Sequence, residues 1–261
     1  MKLRGRVVVV TGGAEGIGRG LCEAFADQGA KVVVSDIDEA AARATAARIG
    51  GRAEICDVSD ETQIDRLVEG VEEKVGPITL FCSNAGIGNL GSPGLATSAG
   101  NEVWQRAWTI NVMAHVFAAR ALLPRMIARG EGYFLNTVSA AGLLSRIGDA
   151  VYSTTKHAAV GFAENLAITH REEGIRVSIL CPMAVQSAML NNSEGAAEAI
   201  DGVLQPRAVG DMVVEALEKE IFCILPHPTV GDYYRHKAEN YDRWIGGMAK
   251  LRRQLGNARS I

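Results

Sequence analysis

Seven short apolar runs punctuate the chain, at 6–10, 31–35, 52–56, 78–82, 132–138, 176–181 and 222–225. Most are continuous rather than alternating, as in Val7-Val8-Val9-Val10 and Val32-Val33-Val34. A strand with one wet face alternates apolar and polar residues, so continuous runs point to strands covered on both faces. Between them lie stretches with helical periodicity, at 18–28, 39–49, 61–74, 101–129, 150–173 and, more briefly, 209–220. Strand and helix in strict alternation predict crossover units on a parallel sheet, an α/β doubly wound architecture of seven strands flanked by helices. No internal repeat or linker interrupts the pattern, so one domain is expected over 1–261.

Three segments fall outside it: 87–100, 183–206 and the tail from 226. Ligands of an open parallel sheet sit beyond the carboxyl ends of its strands. The first two segments follow such an end or its short turn, so substrate contacts are expected in both, with 183–206 as the substrate loop. In the tail, Tyr241, Trp244, Met248, Leu251 and Leu255 recur at helical spacing, which predicts one extra amphipathic C-terminal helix over 232–255. Its apolar stripe is expected to pack near the substrate crevice or across a subunit contact.

Composition narrows the function. A hydrophobic fraction of 48% over 261 residues suits a globular core, and a net charge of -3 with no basic block argues against a nucleic-acid partner. No run approaches the roughly 20 apolar residues of a membrane span. Met1 to Arg6 is basic, but only Val7 to Val10 follows before Thr11-Gly12-Gly13, too short for a signal peptide. Cys22, Cys56, Cys82, Cys181 and Cys223 are odd in number and lack a Cys-x-x-Cys pair, which suits reduced thiols in a cytoplasmic protein. His115, His157, His170, His227 and His236 lack metal-ligand spacing, so no metal is expected.

Two constellations carry chemistry. Thr11-Gly12-Gly13-Ala14-Glu15-Gly16-Ile17-Gly18 follows the first strand and opens a helix, where backbone N–H groups can receive a pyrophosphate. Asp36 follows Gly16 by twenty residues at the end of the second strand, where a carboxylate accepts from both ribose hydroxyls and repels a 2′-phosphate. NAD is therefore expected over NADP, and Glu15 adds to the repulsion.

The second is Ser139, Tyr152 and Lys156. Tyr152 and Lys156 share a helix face at i and i+4, and Ser139 lies just past the fifth strand. The spacing Tyr-x-x-x-Lys recurs at Tyr233 and Lys237, beyond the last strand and away from the expected crevice. Arg146, just before Tyr152, is read as a solvated loop residue over an anchor for an acidic substrate. Trp104 and Trp108 are read as core or subunit-contact residues.

Taken in order, these motifs resemble the short-chain dehydrogenase/reductase family over essentially the whole chain. Gly12, Gly16, Ile17 and Gly18 resemble its cofactor turn. Asp57-Val58 resembles the pair that holds the adenine, and Asn84-Ala85-Gly86 the motif closing the fourth strand. Asn111 resembles the family's helix asparagine, and Ser139, Tyr152 and Lys156 its catalytic residues. Two departures stand out. Pro182-Met183-Ala184-Val185-Gln186-Ser187 replaces a Pro-Gly and Val-x-Thr pattern, and Ser83 stands where asparagine is more usual.

The resemblance implies a Rossmann fold, a homotetramer or homodimer, and hydride exchange between NAD and a small-molecule alcohol or ketone. Tyrosine has an ordinary pKa of about 10, so Tyr152 needs Lys156 and the positive nicotinamide to act as a base. Ser139 would hold the substrate oxygen, and Asn111 would anchor a water linking Lys156 to solvent. Gly12, Glu15, Gly16, Ile17, Gly18, Asp36, Asp57, Val58, Asn84, Ala85, Gly86, Tyr152, Lys156, Pro182, Val185 and Ser187 are the expected cofactor contacts. Leu143, Leu144, Met183, Met189, Leu190 and Leu204 suggest an apolar or aromatic secondary alcohol, with Ser139, Leu143, Met183 and Met189 as substrate contacts. A catalytically silent NAD sensor or scaffold, and an epimerase or dehydratase of the related longer type, stand as alternatives.

Overall fold

The computed structural model describes residues 1–90, 95–191 and 201–258. Parts of the expected loop 87–100, of the substrate segment 183–206 and of the tail to 261 lie outside the described residues. Seven parallel strands form one sheet in the order β3-β2-β1-β4-β5-β6-β7. They are β1 (Val7–Thr11), β2 (Lys31–Asp36), β3 (Arg52–Ile55), β4 (Ile78–Ser83), β5 (Gly132–Thr137), β6 (Ile175–Leu180) and β7 (Cys223–Ile224). The order reverses between β1 and β4, which opens a crevice at their carboxyl ends.

The continuous apolar runs have the predicted cause. Val7, Val9, Val33 and Phe81 enter one buried cluster with Leu122, Ala159 and Ala163. Val8, Val10, Val34 and Cys82 enter another with Leu21, Phe25, Val209 and Val213. Successive side chains of a strand point to opposite faces, and each face here carries its own layer of helices.

The first layer holds α3 (Glu61–Lys74), α5 (Ala114–Arg129) and α6 (Ala150–His170). The second holds α1 (Gly16–Asp27), α2 (Glu39–Ile49) and α8 (Pro206–Glu218). A Cβ on Gly20 would lie 2.1 Å from the Pro206 carbonyl oxygen, so α1 and α8 meet backbone to backbone. Aspartates start several helices: Asp38 accepts from Ala41 N, Asp60 from Thr62 N and Asp149 from Tyr152 N.

Two expectations need correction. The stretch 101–129 is not one α-helix: α4 (Asn101–Trp108) passes through a π-helical turn at Thr109–Met113 before α5 begins. The tail forms two helices, α9 (Thr229–Glu239) and α10 (Tyr241–Ala258), separated at Asn240. Asn240 is extended, at φ -155°, and its side chain accepts from Arg243 N at 2.9 Å, so it ends one helix and caps the next. Helical periodicity alone does not register that break. A short helix, α7 (Ala188–Asn191), lies in the substrate segment.

Val230 is fully buried and Tyr233 and Trp244 pack on the α3/α5/α6 layer, so the tail docks onto its own domain. Along α10, Tyr241 and Ile245 remain exposed. Trp108 is also exposed, at 42%, and is not a core residue.

Candidate active site

The glycine turn is built by close approach. Gly12 has φ +61°, and a Cβ there would lie 2.8 Å from Ala85 Cα. A Cβ on Gly18 would sit 1.9 Å from the Gly12 carbonyl oxygen, so no side chain fits. Thr11 Oγ1 accepts from Asn84 N and Ala85 N, at 3.0 and 3.2 Å. Asn84 Nδ2 donates to the Thr11 and Gly12 carbonyls, and its Oδ1 accepts from Thr137 Oγ1. Asn84 thus acts on the site as a brace joining the turn to β4 and β5.

Glu15 is exposed and forms no cap bond, so its carboxylate leaves the first N–H groups of α1 uncapped. Such donors, with the positive end of the helix dipole, suit a pyrophosphate. Gly16 and Ile17 are half-buried beside them. Asp36 closes the same surface: its carboxylate accepts from Ala14 N at 3.0 Å and from Asp38 N at 3.1 Å. Each oxygen keeps a lone pair for a ribose hydroxyl.

Asp57 Oδ1 accepts from Ser59 N and Ser59 Oγ, forming a tight turn after β3 with Val58 buried behind it. On the far side of the crevice, Pro182 and Val185 are buried, and Ser187 Oγ donates to the Val185 carbonyl at 3.1 Å. These residues fit a dinucleotide laid across the crevice, with phosphates on the α1 N-terminus and a ribose at Asp36.

Tyr152, Lys156 and Ser139 converge where β5 meets α6. Asp149, 4% exposed, starts that helix and also accepts from Leu90 N at 3.0 Å. Lys156 is buried, donates to the Thr137 carbonyl at 3.1 Å, and its ammonium lies 5.6 Å from the Tyr152 ring centroid. Burial lowers its pKa from 10.5 to about 8, because a charge inside the protein loses its hydration. At pH 7 the group is still mainly cationic. Ser139 is half-buried and caps the short turn Ala140–Gly142.

Asn111 sits in the π-helical turn, fully buried. Its Nδ2 donates to the Ile87 carbonyl and Thr155 Oγ1, and its Oδ1 accepts from Ile87 N at 2.9 Å. The amide therefore ties the loop after β4 to α6, leaving one Oδ1 lone pair. A Cβ on Gly86 would lie 3.2 Å from that oxygen and 3.4 Å from Lys156 Nζ. Gly86 thus leaves room beside both.

Among the expected substrate residues, Leu143 and Leu144 are buried in the core cluster, Met183 is half-buried and Met189 is 38% exposed. A Cβ on Gly88 would meet Met189 Sδ at 2.9 Å and Tyr152 Cε2 at 3.4 Å, so Met189 borders the Tyr152 ring. Leu190 and Leu204 are half-buried.

Arg146 is not a solvated loop residue. Its side chain is 18% exposed, Nη2 donates to Asn89 Oδ1 at 2.8 Å, and its guanidinium lies 5.7 Å from the Tyr152 centroid. Asn89 Nδ2 in turn donates to the Met189 carbonyl, linking this corner to the substrate segment. His115 escaped sequence reasoning as a neighbour of the site. It is buried, and desolvation together with the Lys156 charge lowers its pKa to about 3. The five cysteines are free thiols, four of them buried and Cys223 half-buried. Among the described residues no cluster of three or more His, Cys, Asp or Glu side chains could hold a metal, and no helix is long and apolar enough to cross a membrane.

Strand order and crevice define a doubly wound protein of the Rossmann class. The model of the short chain dehydrogenase family matches residues 6–198, and the chain belongs to that family. It is 34% identical over 217 residues to 1-deoxy-11-beta-hydroxypentalenate dehydrogenase of Streptomyces exfoliatus, covering 80% of this chain and 74% of that one. It is 35% identical over 188 residues to galactitol 2-dehydrogenase of Agrobacterium fabrum, covering 71% and 72%. Among solved structures, a short chain dehydrogenase/reductase from Burkholderia phymatum in complex with NAD superposes with a TM-score of 0.83 at 29% identity, over 93% of this chain and 96% of that one.

Proposed function

We propose that the protein is an NAD-dependent oxidoreductase that interconverts an apolar or aromatic secondary alcohol and its ketone. The observation that carries this reading is the buried Lys156 ammonium held 5.6 Å from the Tyr152 ring, in a crevice that opens onto the glycine turn. Bound NAD would supply the hydride acceptor. Backbone groups of the turn Gly12, Glu15, Gly16, Ile17 and Gly18 would hold its phosphates, with the Glu15 carboxylate turned away, Asp36 would hold a ribose, and Asp57 and Val58 the adenine. Ala85 and Gly86 would line its path, braced by Asn84, and Pro182, Val185 and Ser187 would meet its nicotinamide end.

Tyr152 would take the hydroxyl proton as the carbinol C–H bond releases hydride and the C=O bond forms, and would return it in the reverse direction. A nearby cation favours phenolate over phenol, which is the part assigned to Lys156. Ser139 would hold the substrate oxygen through its hydroxyl. Asn111 would keep Ile87 and Thr155 in register and offer its remaining lone pair to a water beside Lys156.

Met183, Met189 and Leu190 favour an apolar substrate over a polyol, although galactitol names one relative and a hydroxypentalenate another. Exposed Trp108 and Ile168 on α4 and α6 support a homotetramer or homodimer, and free cysteines support a cytoplasmic setting. The test is NADH absorbance with a panel of cyclohexanol, 1-phenylethanol, 2-octanol and galactitol. Turnover of an apolar alcohol that disappears in Tyr152→Phe, with NAD affinity kept, is expected. A Tyr152→Phe protein retaining more than a few percent of the rate would refute the assignment of the base.

A further inference from the structure

His227, between β7 and α9, is 4% exposed and has no part in the chemistry above. Its Nδ1 faces Met183 N at 3.2 Å and its Nε2 faces the Gly202 carbonyl oxygen at 3.3 Å. A backbone N–H only donates and a carbonyl only accepts. Both contacts therefore require one tautomer, neutral imidazole with the proton on Nε2. The ring spans the two ends of the substrate segment: Met183 follows β6 as the chain leaves the sheet, and Gly202 lies where it returns.

Between those ends the backbone closes on itself. Val185 and Leu204 form a parallel bridge, with Leu204 N donating to the Ala184 carbonyl at 3.1 Å and Gln186 N to the Leu204 carbonyl at 2.9 Å. α9 reinforces the same corner. Tyr233 Oη lies 3.4 Å from Asp201 Oδ1. Lys237, 6% exposed, donates to the Leu143 carbonyl at 2.6 Å and lies 3.4 Å from His157 Nε2. The second Tyr-x-x-x-Lys pair thus holds the walls of the crevice from behind.

We propose that His227 is a positioning residue that locks the base of the substrate segment, so that Met183, Val185 and Ser187 meet the crevice in one arrangement. The imidazole touches none of Ser139, Tyr152 or Lys156 in the contacts above, so it acts on substrate fit ahead of proton transfer. The kinetic consequence rests on the oxidoreductase reading given above, whereas the geometric one does not.

Residue-resolved amide exchange and kinetics on the full chain test it together. In His227→Ala, exchange of the Met183 and Leu204 amides should rise roughly tenfold. KM for the fastest alcohol of the panel should rise about tenfold while kcat changes less than about threefold. The NAD Kd should rise less than the KM, since Asp36 and the glycine turn are untouched and only the contacts of Val185 and Ser187 at the nicotinamide end are loosened. His227→Asn keeps an acceptor near the Nδ1 position and should restore Met183 protection and most of the KM. His227→Gln keeps a donor near Nε2 and should protect Leu204 in preference to Met183. Unchanged exchange at both amides in all three variants would overturn the proposal, as would a lowered melting temperature with KM unchanged. If no alcohol is oxidised by the parent protein, the oxidoreductase reading falls and the exchange pattern alone decides on His227.

Discussion

Lys156→Met should make the cofactor-free protein more stable while abolishing turnover. The parent ammonium is buried, and its pKa falls from 10.5 to about 8 with desolvation as the main cause. That difference is worth about 3 kcal/mol against the folded state wherever both states are protonated, which holds below about pH 8. Methionine has a similar length and carries no charge. It leaves the Thr137 carbonyl without its 3.1 Å partner, at a loss of about 1–2 kcal/mol. The net expectation is a gain of about 1–2 kcal/mol near pH 7.

The sign fixes the pH window. Between about pH 8 and 10.5 the unfolded chain binds a proton at this lysine that the folded chain has released, so parent stability rises with pH there. The advantage of the variant should therefore shrink across that window and be lost above it. Urea unfolding of both proteins near pH 7 and near pH 10, without NAD, measures this directly. A variant less stable than the parent by about 1 kcal/mol near pH 7 would refute the reasoning, and so would an advantage that does not fall with pH.

Two further outcomes are expected. Replacing Asp36 with Ala together with Ile37→Arg should move the kcat/KM ratio from NAD towards NADP, because Asp36 faces the glycine turn and Ile37 is 67% exposed beside it; a parent enzyme already preferring NADP would contradict this. Truncation after Asn240 removes only α10, in which every side chain described is exposed or half-buried, and should leave the melting temperature within a few degrees. Truncation after Pro228 also removes fully buried Val230 and buried Lys237, and should lower it by roughly 10 °C or more. Equal melting temperatures for the two truncations would show that α9 is dispensable.

Much of the site was legible because its parts are local. The glycine turn lies within eight consecutive residues, and Tyr152 and Lys156 face each other because i and i+4 share a side of any α-helix. The strand–helix alternation likewise follows from short-range periodicity, and the strand positions hold to within one or two residues. The break at Asn240 was missed because the apolar stripe begins only at Tyr241 and carries no signal of how the residues before it join that helix. The π-helical turn was missed because its hydrogen-bond shift leaves no mark in residue type.

What the sequence by itself determined is the strand–helix order, the glycine turn with its distant carboxylate, and the serine, tyrosine and lysine in sequence. Each is written in neighbouring residues or in a repeated period. Only the tertiary structure decided which polar groups serve the site from a distance. Asn111 reaches Ile87 across 24 positions, His227 reaches Met183 across 44, and Lys237 reaches Leu143 across 94. Such contacts carry no local signature. Tyr233 and Lys237 repeat the Tyr-x-x-x-Lys spacing and already stand apart by lying beyond the last strand, but their partners Asp201 and Leu143 are set only by the fold. The altered acidity of Lys156 is tertiary too, because a buried cation is made by the layers packed around it and not by the residues beside it.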